Sequence, residues 1–150
     1  MMKRIYLVDD DIDDLGFIKG AFDNFKTDFE IKICNNGHEL LSSLKNTTEL
    51  PLFILMDLNM PVMSGLEALK LIRNSRIYLS LNVIIFSTSN AIQDRTECLN
   101  NGATDYLSKP YSIQEYETIV SKLLKTYSGS FSKSKIKQGN VQKSSRRLIL

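Results

Sequence analysis

The sequence predicts a doubly wound α/β domain, built around one five-stranded parallel sheet, in residues 1–127. Two observations predict it: short apolar segments alternate with amphipathic segments five times, and acidic or hydroxyl side chains follow several of the apolar segments. Alternating strands and helices form a parallel sheet with helices on both faces, and right-handed crossovers leave few topologies. We therefore expect the strand order 2-1-3-4-5, in which the first and third strands are neighbours.

The expected strands are short and rich in apolar residues. The clearest is 52–56, whose five bulky side chains (Leu-Phe-Ile-Leu-Met) indicate a strand that is buried on both faces. The other expected strands lie at 5–8, 29–34, 83–86 and 105–107.

An amphipathic helix is expected after each strand. Apolar residues recur at the spacing of one helix face, and they are Leu15, Ile18 and Phe22; Leu40, Leu41 and Leu44; Leu66, Leu69 and Ile72; Ile92, Cys98 and Leu99; and Ile113, Tyr116, Val120 and Leu123. Three expected helices begin with a capping pair, in which a side-chain oxygen accepts a hydrogen bond from an otherwise unpaired amide. The pairs are Asn36 with Glu39, Ser64 with Glu67, and Ser112 with Glu115.

The composition is that of a single domain. With 150 residues, 43% of them hydrophobic, the chain can fill a core of ordinary size. Its longest apolar runs are far shorter than the roughly 20 residues that a membrane-spanning helix needs, and its first residues do not form a signal peptide. We expect a cytoplasmic protein without a membrane span. Cys34 and Cys98 lack any CxxC spacing and are expected to be reduced packing residues.

Residues 128–150 form a separate compositional unit. They carry six basic residues and no acid, are rich in Ser and Lys, and have too few apolar residues for a core of their own. We expect a basic, flexible tail. The tail is either a solvated extension, a docking segment, or a source of salt-dependent, nonspecific attraction to nucleic acid or an anionic surface.

Acidic side chains follow two of the expected strands. Asp9 and Asp10 follow the first, and Asp57 follows the third. In the expected strand order these ends are adjacent, at the switch point where such sheets bind ligands. Carboxylates gathered in one crevice repel each other unless a hard cation such as Mg²⁺ neutralises them. Ser87 ends the fourth strand and Lys109 follows the fifth, so a hydroxyl and an ammonium are available to bind phosphoryl oxygens.

Three further acids, Asp11, Asp13 and Asp14, lie at the expected start of the first helix. Negative charge in the first turn of a helix is favoured by the helix dipole. We interpret these three residues as first-turn or capping residues rather than as metal ligands.

Five separated motifs resemble the response-regulator receiver domain of two-component signalling. They are Val8-Asp9-Asp10; 56–61 together with Ser64-Gly65; Ser87; Gly102-Ala103; and 106–110, Tyr-Leu-Ser-Lys-Pro. The resemblance covers residues 3 to about 127, and the motifs occur in the same order as in that family. It implies a flavodoxin-like (βα)5 fold and a cis peptide bond before Pro110.

The resemblance also implies a set of roles. Asp57 would accept a phosphoryl group from a phosphohistidine of a sensor histidine kinase or phosphotransfer protein. Mg²⁺ would be held by Asp9, Asp10 and Asp57 and by the backbone carbonyl of Asn59. Lys109 would bind the phosphoryl group.

A conformational switch is implied as well. Ser87 would move to donate a hydrogen bond to the phosphoryl group, and Tyr106 would rotate inward in response, although Tyr106 could equally be a packed core aromatic. The changed surface would be read by an unknown partner protein on the face of the fourth helix, fifth strand and fifth helix, and a homodimer through that face is plausible. By analogy, the face includes Arg95, Tyr106, Tyr116 and Lys122.

The function predicted from the sequence is therefore a single-domain response regulator, not an enzyme, with only slow self-catalysed phosphorylation and dephosphorylation. One alternative is that the basic tail adds binding to nucleic acid or an anionic surface. A second is a phosphohydrolase of the haloacid dehalogenase type, which also uses an aspartate at a strand end together with Mg²⁺. That alternative is disfavoured because Asn59 stands where such an enzyme has its general acid.

Overall fold

The sheet has the predicted architecture. The computed structural model describes residues 2–25 and 29–128, and its five strands are β1 (Lys3–Val8), β2 (Phe29–Cys34), β3 (Phe53–Met56), β4 (Val83–Ser87) and β5 (Asp105–Ser108). They are parallel and lie in the order β2-β1-β3-β4-β5. The predicted fold class and strand order are confirmed, and each predicted strand boundary is met within two residues.

Five α-helices connect and follow the strands: α1 (Ile12–Asp23), α2 (Gly37–Asn46), α3 (Gly65–Arg73), α4 (Ile92–Asn100) and α5 (Ile113–Tyr127). The three predicted caps are present, because Asn36, Ser64 and Ser112 accept hydrogen bonds from the amides of Glu39, Glu67 and Glu115. A short 3-10 helix, Arg76–Tyr78, was not predicted.

The apolar core lies in two layers, one on each face of the sheet. Side chains of β1 alternate between the layers, so that Ile5 and Leu7 pack on one side and Tyr6 and Val8 on the other. Helices α1 and α5 cover the first side, while α2, α3 and α4 cover the second. Because both faces are covered, the central strands β1, β3 and β4 consist mainly of buried apolar residues, and polar side chains follow at their carboxyl ends, whereas the edge strand β2 exposes Glu30 and Lys32.

The structure confirms one prediction about buried residues and corrects another. Cys34 and Cys98 are buried and unbridged, as expected for packing residues. Tyr106 and Tyr116, by contrast, are buried and do not lie on the proposed partner surface. Tyr106 is 3% exposed, and Tyr116 is 5% exposed and packs edge-on against Phe86, with ring centroids 6.0 Å apart. The analogy placed Tyr116 on the correct helix, α5, but on the wrong face of that helix.

The predicted cis bond before Pro110 is also wrong, since no cis peptide bond occurs within the described ranges. The trans form is intrinsically preferred before proline by about 0.5–1 kcal/mol, and this loop keeps it. No helix among residues 2–25 and 29–128 is long and apolar enough to cross a membrane. The predictions for the basic tail concern 128–150, of which 129–150 lie outside the described residues.

Candidate functional site

The two acidic strand ends meet at one edge of the sheet. The backbone amide of Asp57 donates a hydrogen bond to the carbonyl of Val8, at 2.8 Å, which continues the β1–β3 pairing beyond the strands. As a result, Asp9, Asp10 and Asp57 each present a carboxylate oxygen within 4.8 Å of the other two. The predicted acidic crevice is therefore present.

Asp57 is held in a tight and largely buried position. Its side chain Oδ1 accepts a hydrogen bond from the amide of Leu58 at 2.9 Å, and the residue is 9% exposed. The amide of Gly65 donates to the carbonyl of Leu58 at 2.9 Å, which brings the start of α3 against this loop. Burial, followed by the nearby charge of Asp9, raises the pKa of Asp57 to about 6. The carboxylate is thus destabilised in its charged form until a cation compensates it.

Lys109 supplies a positive charge to the same crevice. Its Nζ lies 2.7 Å from Oδ2 of Asp9, 2.8 Å from Oδ2 of Asp14 and 3.5 Å from Oδ1 of Asp57. Burial by itself would lower the pKa of Lys109, but its hydrogen bonds to Asp14 and Asp9 reverse this effect and raise it. The ammonium is charged at any physiological pH.

Asp14 is the site residue that sequence reasoning missed. Asp11 behaves as predicted, because its Oδ1 caps α1 by accepting hydrogen bonds from the amides of Asp13 and Asp14. Asp13 is exposed, whereas the Asp14 carboxylate turns toward the crevice and contacts Lys109. Nothing in the composition of the acidic run distinguishes these two neighbours. Only the rotation of α1 about its axis decides which of them faces the site.

The predicted switch residues lie on the other side of the crevice. Ser87 is fully buried at the end of β4, and its Oγ accepts a hydrogen bond from the amide of Ser89 at 3.1 Å. Tyr106 is 3% exposed, and its hydroxyl donates to the carbonyl of Ser89 at 2.9 Å. Ser89 therefore connects the two residues, and Asp94 at the start of α4 accepts a hydrogen bond from its hydroxyl. In this structure, Tyr106 occupies an inward position.

Asn59 lies two residues beyond Asp57 and is exposed at the mouth of the loop. Its neighbours around a small surface pocket include Leu58, Ser64 and Asp94. The role of its backbone carbonyl as a metal ligand stays a prediction.

The donor set of the crevice fits a hard divalent cation. Carboxylate oxygens are the ligands that Mg²⁺ and Ca²⁺ prefer, at about 2.0–2.6 Å from the ion. Oxygens within 4.8 Å of one another can therefore contact a single ion between them. Asp9 and Asp57 are mostly buried while Asp10 is exposed, so an ion here would also keep solvent-side positions for water or substrate.

Comparison with known families agrees with this geometry. Residues 5–121 match the profile of the response regulator receiver domain. The chain therefore belongs to the receiver-domain family of two-component response regulators.

Individual relatives are also response regulators. The transcriptional regulatory protein CiaR of Streptococcus pneumoniae is 31% identical over 142 residues, covering 93% of this chain and 59% of CiaR. The two-component response regulator ARR6 of Arabidopsis thaliana is 36% identical over 81 residues, covering 54% of this chain and 44% of ARR6. The chain spans about half the length of the curated relatives it matches.

Solved structures show the same fold. The phosphorylated cyanobacterial phytochrome response regulator RcpA has a TM-score of 0.80 at 24% identity, covering 88% of this chain and 98% of RcpA. The receiver domain of the sensor histidine kinase PA1611 from Pseudomonas aeruginosa has a TM-score of 0.71 at 25% identity, covering 87% of this chain and all of that domain, and it holds a magnesium ion in its active-site cleft.

Proposed function

We propose that this protein accepts a phosphoryl group on Asp57 from a phosphohistidine of a sensor histidine kinase or a phosphotransfer protein. The observation that supports the proposal is that one carboxylate, which can act as the nucleophile, lies close to both negative and positive side chains. The Asp57 carboxylate lies in a cluster with Asp9 and Asp10 and 3.5 Å from the ammonium of Lys109. Phosphoryl transfer needs positioning and charge neutralisation more than covalent help from the protein, and these residues supply both.

The transfer itself is a displacement at phosphorus. An oxygen of the Asp57 carboxylate forms the new P–O bond while the P–N bond to the donor histidine breaks, and the electron pair of the broken bond stays on the imidazole nitrogen. Lys109 donates hydrogen bonds to the phosphoryl oxygens, where negative charge is concentrated. Mg²⁺, held by Asp9, Asp10, Asp57 and the carbonyl of Asn59, would neutralise further charge on those oxygens.

A protein donor is favoured by the surface around the crevice. Five apolar side chains follow the carboxyl ends of the strands and are 62–93% exposed: Ile12, Val62, Ile92, Tyr111 and Ile113. They come from the loops or helix starts after β1, β3, β4 and β5, which all lie at the edge of the sheet that holds Asp57. Exposed apolar groups that surround a polar site favour contact with another protein.

After transfer, the response would pass through β4 and β5. A phosphoryl group on Asp57 offers new acceptor oxygens to Ser87, whose hydroxyl now contacts the amide of Ser89. A shift of Ser87 would disturb the contact between Tyr106 and the carbonyl of Ser89 and would thereby move the start of α4. The downstream partner is expected to bind the face formed by α4, β5 and α5, where Arg95 and Lys122 are exposed. Homodimerisation through this face and a cytoplasmic location stay predictions.

The test is chemical phosphorylation with acetyl phosphate and Mg²⁺, followed by intact-protein mass spectrometry. The wild type should gain a single phosphoryl group that hydroxide removes, as expected for an acyl phosphate. Asp57→Asn should gain none, while Asp13→Asn, which alters an exposed acid outside the crevice, should be labelled like the wild type. Equal labelling of wild type and Asp57→Asn would refute the assignment.

The same preparation distinguishes a phosphoacceptor from a phosphohydrolase. A receiver should give no sustained release of phosphate from an aryl phosphate, because the phosphoryl group on Asp57 is lost only slowly. Multiple turnovers of an aryl phosphate, abolished by Asp57→Asn, would instead indicate a phosphohydrolase of the haloacid dehalogenase type.

A further inference from the structure

Lys109 is shared among three carboxylates, and it is not shared equally. The distances from its Nζ to Asp9 and Asp14 are hydrogen-bond distances, 2.7 and 2.8 Å, whereas Asp57 lies farther away, at 3.5 Å. An ammonium has three donors, and two of them are used by Asp9 and Asp14. The lysine is therefore held mainly on the α1 side of the crevice.

The two close partners of Lys109 differ in what else they do. Asp9 belongs to the cluster that fits a cation, and its other oxygen accepts a hydrogen bond from the amide of Asp11 at 3.0 Å. Asp14 is outside that cluster and enters the crevice from the first turn of α1. Its carboxylate, 27% exposed, is directed at the ammonium. The contact thus ties α1 to the segment after β5, 95 residues later in the chain.

We propose that Asp14 is a positioning residue, which holds Lys109 away from Asp57 in the unphosphorylated protein and competes with the phosphoryl group for it. This inference rests on the proposed function. To donate a strong hydrogen bond to a phosphoryl oxygen on Asp57, Lys109 has to approach that residue and loosen its contact with Asp14. Asp14 therefore sets how readily the site takes up a phosphoryl anion.

Two effects of Asp14 on an incoming anion have to be separated. One is the competition for Lys109, and the other is simple repulsion between two negative charges in a partly buried site. Asp14→Asn keeps the size of the side chain and removes both effects. Placing the same substitution in a Lys109→Met background leaves only the repulsion, because no lysine remains to be held. The difference between the two backgrounds measures the competition.

The experiment is a titration with beryllofluoride, a mimic of the phosphoryl group, at a fixed Mg²⁺ concentration, followed by ¹⁹F NMR. Asp14→Asn should bind the mimic about fivefold more tightly than the wild type, a change at the upper end of what a partly exposed ion pair contributes. Asp13→Asn is the matched control, since it removes the same charge from the same helical turn, and it should change the affinity less than about twofold. In the Lys109→Met background, Asp14→Asn should also change the affinity less than about twofold.

The outcomes are distinct. An unchanged or weaker affinity in Asp14→Asn would overturn the inference, and so would an equal gain with and without Lys109, because Asp14 would then act by repulsion alone. If the wild type itself did not bind beryllofluoride in the presence of Mg²⁺, the proposed function would fail first. Binding by the wild type with no difference in Asp14→Asn would reject the role of Asp14 and leave the proposed function intact.

A second measurement needs neither metal nor phosphoryl mimic. An ammonium held by short salt bridges exchanges its protons slowly enough to give a ¹⁵N-correlated Nζ signal. The Lys109 signal should be present in the metal-free wild type and in Asp13→Asn and should broaden in Asp14→Asn, where only the short bridge to Asp9 remains. Asp14→Ala serves as a second variant with the same expectation. A Lys109 signal that was identical in all four proteins would contradict the proposed contact.

Discussion

Gly65 packs so closely against Asp57 that a β carbon on Gly65 would collide with the backbone carbonyl oxygen of Asp57. The glycine begins α3, and its amide donates a hydrogen bond to the carbonyl of Leu58. The first residue of α3 thus lies directly against the backbone of Asp57, the candidate nucleophile. This close approach is possible only because glycine has no side chain.

Gly65→Ala should therefore damage both the fold and the site. The neighbouring atoms belong to backbone and cannot rotate away, so we expect a loss of about 1–3 kcal/mol in the free energy of unfolding. Labelling of Asp57 by acetyl phosphate should fall as well, because its carbonyl must shift. Gly20→Ala is the matched control: Gly20 lies on an exposed part of α1 with no atom near the added carbon, and alanine should stabilise the helix by about 0.5–1 kcal/mol. Chemical denaturation checks both, and a Gly65→Ala protein as stable as the wild type would contradict the close contact.

The buried charge of Asp57 predicts an unusual pH dependence of stability in the absence of metal. Its pKa is raised to about 6 by burial and by the charge of Asp9, above the ordinary value of 3.8. Between these two values the folded state binds more protons than the unfolded state, so the contribution of Asp57 to stability falls as the pH rises from about 4 to about 6. Lys109 also faces Asp57. Because Lys109 is fully charged between pH 4 and pH 6, it does not change the direction in which stability varies with pH.

Asp57→Asn should consequently be more stable than the wild type at pH 7.5 in EDTA, by about 1–3 kcal/mol, and this advantage should vanish near pH 4. Urea denaturation at several pH values measures it. Asp13→Asn, an exposed acid in the first turn of α1, should show no such gain. An Asp57→Asn protein less stable than the wild type at pH 7.5 would show that Lys109 outweighs the cost of burial.

Mg²⁺ should reverse the destabilisation that the acidic cluster causes. An ion that binds only the folded state stabilises it by about 1.4 kcal/mol at ten times its dissociation constant. We expect the thermal midpoint of the wild type to rise with Mg²⁺ concentration, and the rise to be much smaller in Asp10→Asn, which removes one of the three clustered carboxylates. Asp13→Asn should respond like the wild type. Equal responses in wild type and Asp10→Asn would place the ion elsewhere.

The fold and most of the candidate site could be predicted from the sequence because both depend on patterns that are local in the chain. Strands that are buried on both faces appear in the sequence as apolar runs. The residues that follow each run lie at the carboxyl end of the strand. Asp9, Asp57, Ser87 and Lys109 are all found in this way, and the strand order then brings them together.

Side-chain direction on the helices could not be predicted in the same way. Asp13 and Asp14 are adjacent acids in one helical turn, and their difference arises from how α1 packs on α5, where the rings of Phe17 and Tyr116 lie 5.7 Å apart. The burial of Tyr116 follows from the same packing. These contacts join distant segments, so no local pattern contains them.

Val62, between β3 and α3, carries a backbone conformation that its side chain disfavours. Its φ is 69°, in the left-handed region, and its side chain is 83% exposed, so little packing is available to offset the strain. Glycine at this position should be more stable than alanine, by about 1 kcal/mol, because only alanine retains the β carbon that opposes this conformation. At Lys70, an exposed position within α3, the order should be the usual one, with alanine more stable than glycine by a similar amount. Thermal denaturation of the four variants measures both differences. If alanine were the more stable residue at position 62 as well, the backbone of Val62 would not be strained. The exposure of its side chain would then be explained only by contact with a partner protein.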